Sequence, residues 1–139
     1  MEELDRKLKH SFENLNRALN RLEEALHEDL ENGLIVDGTI QRFEFTIELY
    51  WKALKRLLAK EGIDARTPRE TLKEAYQVGW LKNEQAWLQM LRDRNSTSHV
   101  YDEEMARKIV QNIKRYYPEM KETFEQLSNR YMKGFDQHE

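Results

Sequence analysis

The chain has 139 residues, of which 39% are hydrophobic, 35% charged and 10% aromatic; that is enough to bury one core, and too apolar for a disordered chain. Five glycines and two prolines are too few for a turn-rich β sandwich and fit a charge-rich helical protein. Without cysteine, disulfides, thiolate metal sites and cysteine nucleophiles are excluded, and a net charge of −3 excludes nucleic-acid binding by bulk positive charge while leaving room for a local basic site.

No apolar run approaches the roughly 18 residues of a membrane span, and the opening MEELDRKLKH lacks the apolar core of a signal peptide. A cytoplasmic setting with no membrane partner is expected. In the first segment Leu4, Leu8, Phe12, Leu15, Leu19, Leu22 and Leu26 recur at steps of three and four, which puts one apolar stripe on a long helix. Glu23, Glu24, Glu28, Asp29 and Glu31 crowd its C-terminal end, the wrong end for the helix dipole, so it should stop by Gly33.

A second helix is expected from about Asp37 to Lys60, capped by Asp37 or Thr39. Ile40, Phe43, Ile47, Tyr50, Leu54 and Leu57 form its stripe, and Phe45, Leu49, Ala53 and Leu58 widen it. A helix so broadly apolar sits centrally, and Gly62 ends it. Its cations Arg42, Lys52, Lys55, Arg56 and Lys60 make it the most basic element. They read either as a solvated face balanced against the acidic first helix or as a surface facing phosphate.

Thr67-Pro68-Arg69-Glu70 is a capping box, with Thr67 at N-cap, proline at N1 and Glu70 at N3. It opens a short third helix that stops near Gly79. A fourth starts around Asn83, carries Ala86, Trp87, Met90 and Leu91 inward, and runs out in Arg94-Asn95-Ser96-Thr97-Ser98-His99, whose short polar side chains compete with the helical backbone. A fifth begins after Tyr101 with Asp102 as N-cap and Glu103 and Glu104 in its first turn. Its stripe is Met105, Ile109, Ile113, Tyr116, Met120, Phe124, Leu127 and Tyr131, with Pro118 inside as an expected kink. One helical domain over residues 1–133 and a loose tail over 134–139 follow.

The chemistry is concentrated in one place. His10, His27 and His138 lie on an amphipathic helix or in the tail, no pair has metal-ligand spacing, and HExxH, GxSxG and glycine-rich phosphate loops are absent. No metal or cofactor is expected. From Arg92 to Asp102 only Val100 is apolar. Arg94 offers a fork of donors suited to phosphate, and His99 can give or take a proton near neutral pH. An unbroken helix would hold these two about 140° apart, so they converge only if the helix breaks between them. The plain alternative is a helix-end arginine, bridged to Asp93, and a histidine satisfied by backbone. Trp51, Trp80, Trp87, Tyr50 and Tyr116 could stack bases, but at these spacings they read as core or interface. An exposed Trp80 near a turn, with Trp87, is the one pair worth testing for ligand contact.

Arg94-x4-His99-x-Tyr101 resembles the RX4HXY motif of HEPN domains paired with minimal nucleotidyltransferases (MNT), in the branch called nucleotidyltransferase substrate-binding proteins. The run Phe43–Lys55 (FEFTIELYWKALK) resembles that family's second helix. Thr67-Pro68-Arg69-Glu70 and Glu74–Gly79 (EAYQVG) resemble its third. The resemblance reaches from the first helix to about Leu127. It implies an all-α, five-helix up-and-down bundle with a four-helix core that forms a two-fold homodimer. In toxin members such domains are metal-independent endoribonucleases of toxin–antitoxin pairs, and the partner MNT is an antitoxin that can transfer AMP to the motif tyrosine. On that resemblance Arg94 and His99 are catalytic, Asn95 and Ser98 bind or orient the RNA or nucleotide substrate, and Tyr101 is the modified residue. The alternative is a non-catalytic substrate-binding subunit that docks a nucleotidyltransferase and presents its substrate. A helical dimer whose motif is merely structural is the third reading.

Overall fold

A computed structural model describes residues 2–99 and 102–133. Five α-helices account for nearly all of them: α1 (Glu2–Leu26), α2 (Gly33–Lys60), α3 (Pro68–Gln77), α4 (Glu84–Ser96) and α5 (Glu103–Leu127). A single 3-10 turn, Thr97–His99, follows α4, and a π turn, Ser128–Met132, extends α5. No strand occurs among the described residues, and the chain is the all-α bundle expected.

The caps follow from local chemistry. The Thr67 hydroxyl accepts from the Glu70 amide at 3.1 Å, Asn83 from Ala86 at 3.1 Å and Asp102 from Met105 at 2.8 Å. Each satisfies an N–H that the first helical turn leaves without an intrahelical partner. Gly62 and Gly79 take φ of +82° and +87°. After α2 the Ile63 amide reaches back to the Leu58 carbonyl at 2.9 Å and Gly62 to Ala59 at 3.0 Å. This is a Schellman ending, which needs a left-handed residue where glycine carries no Cβ penalty. Trp80 to Ala75 and Gly79 to Tyr76, both at 3.0 Å, repeat it after α3.

One start differs from expectation. α2 begins at Gly33, not near Asp37, because Asn32 rather than Asp37 or Thr39 supplies the cap: its side chain accepts from the Leu34 amide at 2.8 Å. The Thr39 hydroxyl instead bonds the Ile35 carbonyl at 2.7 Å inside the helix.

Cross-helix contacts fix the topology. Asp5 meets Lys60, Ser11 meets Arg56 and Ala18 meets Thr46, so α1 and α2 are antiparallel. Arg94 meets Glu48 and the Tyr50 ring lies 4.7 Å from that of Trp87, so α4 runs against α2. Asp93 meets Tyr116 and Lys82 meets Glu122, so α5 runs against α4. The short α3 packs on α2 and α4.

The core follows the helical stripes. Leu8, Leu22, Phe43, Ile47, Leu57, Trp87 and Ile113 are wholly buried. Three details depart from the periodicity. Phe45 does not widen the buried face of α2; it is 61% exposed. Met105, at the head of the α5 stripe, is exposed as well. In α4 it is Leu88 that is buried, while Ala86 and Leu91 are half-buried. α5 runs through Pro118 without ending. Tail residues 134–139 lie outside the described residues.

Candidate functional site: the motif turn and its anchors

Arg94 sits in the last turn of α4 and His99 ends the 3-10 turn that follows. The α-helix does stop between them, at Ser96, where the polar run begins to bond its own backbone. The Ser96 hydroxyl reaches the Arg92 carbonyl at 2.9 Å, and the Thr97 hydroxyl lies 2.7 Å from that of Arg94. The break does not bring the two side chains together. Arg94 turns toward α2 and is half-buried, His99 is exposed, and no contact links them among the described residues.

The partners of Arg94 lie on α2. Its Nη2 donates to Glu48 Oε2 at 3.2 Å. The same carboxylate oxygen accepts from the Trp51 indole N–H at 3.2 Å, and Lys52 stands 3.4 Å from Glu48 Oε1. Partial burial pushes the Glu48 carboxyl up, but the Trp51 hydrogen bond and the charges of Arg94 and Lys52 outweigh it and hold the group below the ordinary carboxylate range. One turn earlier on α2, Glu44 Oε2 lies 2.8 Å from the Thr97 hydroxyl. The two glutamates are i and i+4, so one edge of α2 grips both the arginine and the turn that leads to the histidine.

The guanidinium of Arg94 is incompletely satisfied. Its Nε is buried and has no hydrogen-bond partner among the described residues, a condition that costs about 1–3 kcal/mol in a folded interior. A planar guanidinium with an unmet donor suits an anion that offers two oxygens.

Asp93 does not bridge to Arg94. It accepts from Gln89 at 2.9 Å, Asn112 at 3.1 Å and Tyr116 at 2.5 Å, which ties the end of α4 to α5. Burial, then the bond to Asp93 and its charge, push the Tyr116 phenol well above its ordinary pKa, so it stays a donor. Consecutive residues thus face opposite neighbours: Asp93 holds α5 and Arg94 faces α2.

Asn95 and Ser98 are exposed, and their side chains bond to nothing among the described residues. Tyr101 lies outside the described residues. Trp80, expected at the surface, is 5% exposed, and its indole donates to the Tyr131 hydroxyl at 3.0 Å. Trp87 is fully buried and its indole lies 3.4 Å from Glu119 Oε1. Both belong to the core, because each indole N–H finds an internal acceptor. The cations of α2 largely follow the balanced-face reading. Arg42 lies 3.9 Å from Glu24 and Lys60 2.7 Å from Asp5.

Glu44, Glu48 and Thr97 carry no role in the sequence reading. The available signal is two carboxylates at i, i+4 in an otherwise basic helix; periodicity alone does not say which neighbour they meet. No helix among the described residues is long and apolar enough to cross a membrane.

Comparison with known proteins places this arrangement in a family. A family model described as "Nucleotidyltransferase substrate binding protein like" matches residues 10–129. The chain is 30% identical over 129 residues to the "Probable ribonuclease HepT" of Haemophilus influenzae, an alignment covering 86% of this chain and 88% of the relative. A crystal structure of a protein from Thermus thermophilus superposes with a TM-score of 0.71 at 34% identity, covering 84% of this chain and 98% of that one. With helices, motif and matched span in agreement, the chain belongs to the HEPN-like family of nucleotidyltransferase substrate-binding proteins.

Proposed function

We propose that this protein is the HEPN toxin of a toxin–antitoxin pair: a metal-independent endoribonuclease acting as a homodimer, controlled by a cognate minimal nucleotidyltransferase that adenylylates Tyr101. The observation that carries the reading is the guanidinium of Arg94, half-buried, with its Nε unpartnered among the described residues and the exposed His99 on the adjoining turn. The name of the Haemophilus relative supports it.

The reaction needs few groups. The ribose 2′-hydroxyl attacks the adjacent phosphorus, a base takes its proton, the 5′-oxygen leaves with a proton from an acid, and a 2′,3′-cyclic phosphate remains. Arg94 neutralises charge on the phosphorane. His99 is the proton-transfer group, and Asn95, exposed at the end of α4, and Ser98, exposed on the turn of His99, are free to meet the substrate. One protomer carries one motif histidine; a two-fold dimer supplies a base and an acid together. AMP on Tyr101 adds bulk and negative charge beside the motif and blocks a phosphate site by occupation and repulsion.

A second reading has its own observation. Arg94 is already engaged by Glu48, as fits a resting ligand site in a non-catalytic substrate-binding subunit of a two-component nucleotidyltransferase; the family description names substrate binding. Incubating labelled RNA with the purified protein in EDTA, beside His99→Ala and after an intact-mass check for AMP, separates them. Cyclic-phosphate ends lost in the variant establish the ribonuclease. No cleavage by unmodified protein across several RNAs selects the binding subunit.

A further inference from the structure

Glu48 is placed by its own helix. Trp51 and Lys52 follow it by three and four residues, one turn along the same face of α2. The Trp51 indole N–H donates to Glu48 Oε2 at 3.2 Å, and the Lys52 ammonium lies 3.4 Å from Oε1. Each carboxylate oxygen thus has a partner on α2 before any residue of α4 is counted. Partial burial favours the neutral acid, but the Trp51 bond and the charges of Arg94 and Lys52 override it, so the group stays an anion.

The guanidinium of Arg94 depends on that anion. Arg94 lies in the last turn of α4, three residues before the 3-10 turn begins. Among the described residues its one hydrogen bond runs from Nη2 to Glu48 Oε2, at 3.2 Å. Nε is buried without a partner, and Nη1 makes no hydrogen bond among the described residues. A long side chain with a single polar anchor regains its rotamer freedom when the anchor goes.

We infer that Glu48 is a positioning residue: it fixes the Arg94 guanidinium on the α2 side of the motif turn and leaves Nη1 for a phosphodiester oxygen of RNA. The inference rests on the ribonuclease reading above and names a residue that serves that reaction through Arg94. Glu48 itself touches no substrate, and Trp51 acts one step further back by orienting Glu48. The opposite role for the same contact is a plug, with the carboxylate and the phosphate competing for Arg94. Two features favour positioning. Leaving Arg94 would not free Glu48, because Trp51 and Lys52 still hold it. The phosphate also has no need of the N–H that Glu48 takes, since Nη1 carries two of its own.

Two measurements on wild type, Glu48→Gln, Trp51→Phe and the double variant test this. One is steady-state cleavage of a labelled RNA in EDTA. The other is binding of the same sequence as 2′-O-methyl RNA, which lacks the attacking hydroxyl. Glu48→Gln keeps the shape and removes the charge. Its kcat is expected to fall about tenfold to a hundredfold, as when a reacting group is misplaced, with KM within about twofold of wild type. Trp51→Phe keeps a ring and loses the N–H, and kcat should fall several-fold. The double variant should be no worse than Glu48→Gln alone, because the indole acts only through the carboxylate. Tighter binding or faster cleavage in Glu48→Gln makes Glu48 a plug and overturns the inference. A lowered urea midpoint with kcat unchanged makes the contact one of stability and overturns it too. Losses that multiply in the double variant remove Trp51 from the chain of positioning. A wild type that cleaves no RNA removes the ribonuclease reading, and binding then decides: weaker binding in Glu48→Gln upholds Glu48 as the group that positions Arg94 for a ligand phosphate, and equal or tighter binding overturns it. A wild type that neither cleaves nor binds overturns both.

Discussion

The two edges of α2 are built differently. On the α1 edge, Leu15, Leu19 and Leu22 close an apolar seam that also takes in the buried hydroxyls of Ser11 and Thr46, and the charged pairs sit on its rim: Arg42 at 3.9 Å from Glu24, Lys60 at 2.7 Å from Asp5. On the α4 edge, carboxylates stand directly between helices, each committed to a group in or beside the motif, and one guanidinium nitrogen is left without a partner among the described residues. The first edge is stable because apolar area leaves water and its ion pairs are incidental. The second sets half-exposed charges between helices and, among the described residues, leaves the Arg94 Nε without a partner, an arrangement that makes physical sense when a ligand completes it.

The contrast can be broken in order of expected size. Trp87→Ala, in the core behind both edges, should lower unfolding free energy by about 3–5 kcal/mol, read by urea denaturation, because a fully buried indole leaves a cavity. His99→Ala should do the opposite. Cleavage should fall about a hundredfold or more with the denaturation midpoint unmoved, since the side chain is exposed. If both quantities fall together, His99 is structural and the contrast fails. Arg94→Lys keeps a positive charge but loses the planar fork. Cleavage or phosphate binding should drop about tenfold, with most of the loss appearing as kcat if the fork meets the phosphorane rather than the ground-state phosphate.

Acid should erase part of the α4 edge. The Glu48 carboxyl is held below its ordinary range, so the folded state binds its proton less readily than the unfolded chain. The stability this gives is complete above the unfolded value of about 4.3 and is lost as pH falls through the lowered folded value. Urea midpoints between pH 6 and 3 should therefore fall less steeply in Glu48→Gln than in wild type. Lys60→Ala should do least, under about 1 kcal/mol, as partly exposed ion pairs usually do.

Much of the bundle is legible because helices announce themselves locally. The Thr67, Asn83 and Asp102 caps and the Gly62 and Gly79 stops depend on atoms a few residues apart, and all stand where the sequence put them, although Glu70 does not return the bond to Thr67 that a full capping box would have. The start of α2 escapes such reading because Asn32, a good cap, lies amid polar residues that also fit a loop. Phe45 and Trp80 depart from expectation in opposite directions for one reason. Hydrophobicity tells that a side chain favours burial, whereas neighbours decide whether anything covers it. Tyr131 arrives from a turn 51 positions away to cover Trp80, whereas the described residues leave Phe45 61% exposed.

By itself the sequence determined the helices, their order and the motif Arg94-x4-His99-x-Tyr101, since periodicity, caps and spacing are properties of neighbouring residues. The tertiary structure alone decided what holds that motif. Asp93 turns to α5 and Arg94 to α2, and Glu44 and Glu48 meet the motif turn across forty-six to fifty-three positions of chain. Electrostatic partners act through space, and only the packed bundle sets the distance over which a charge is felt.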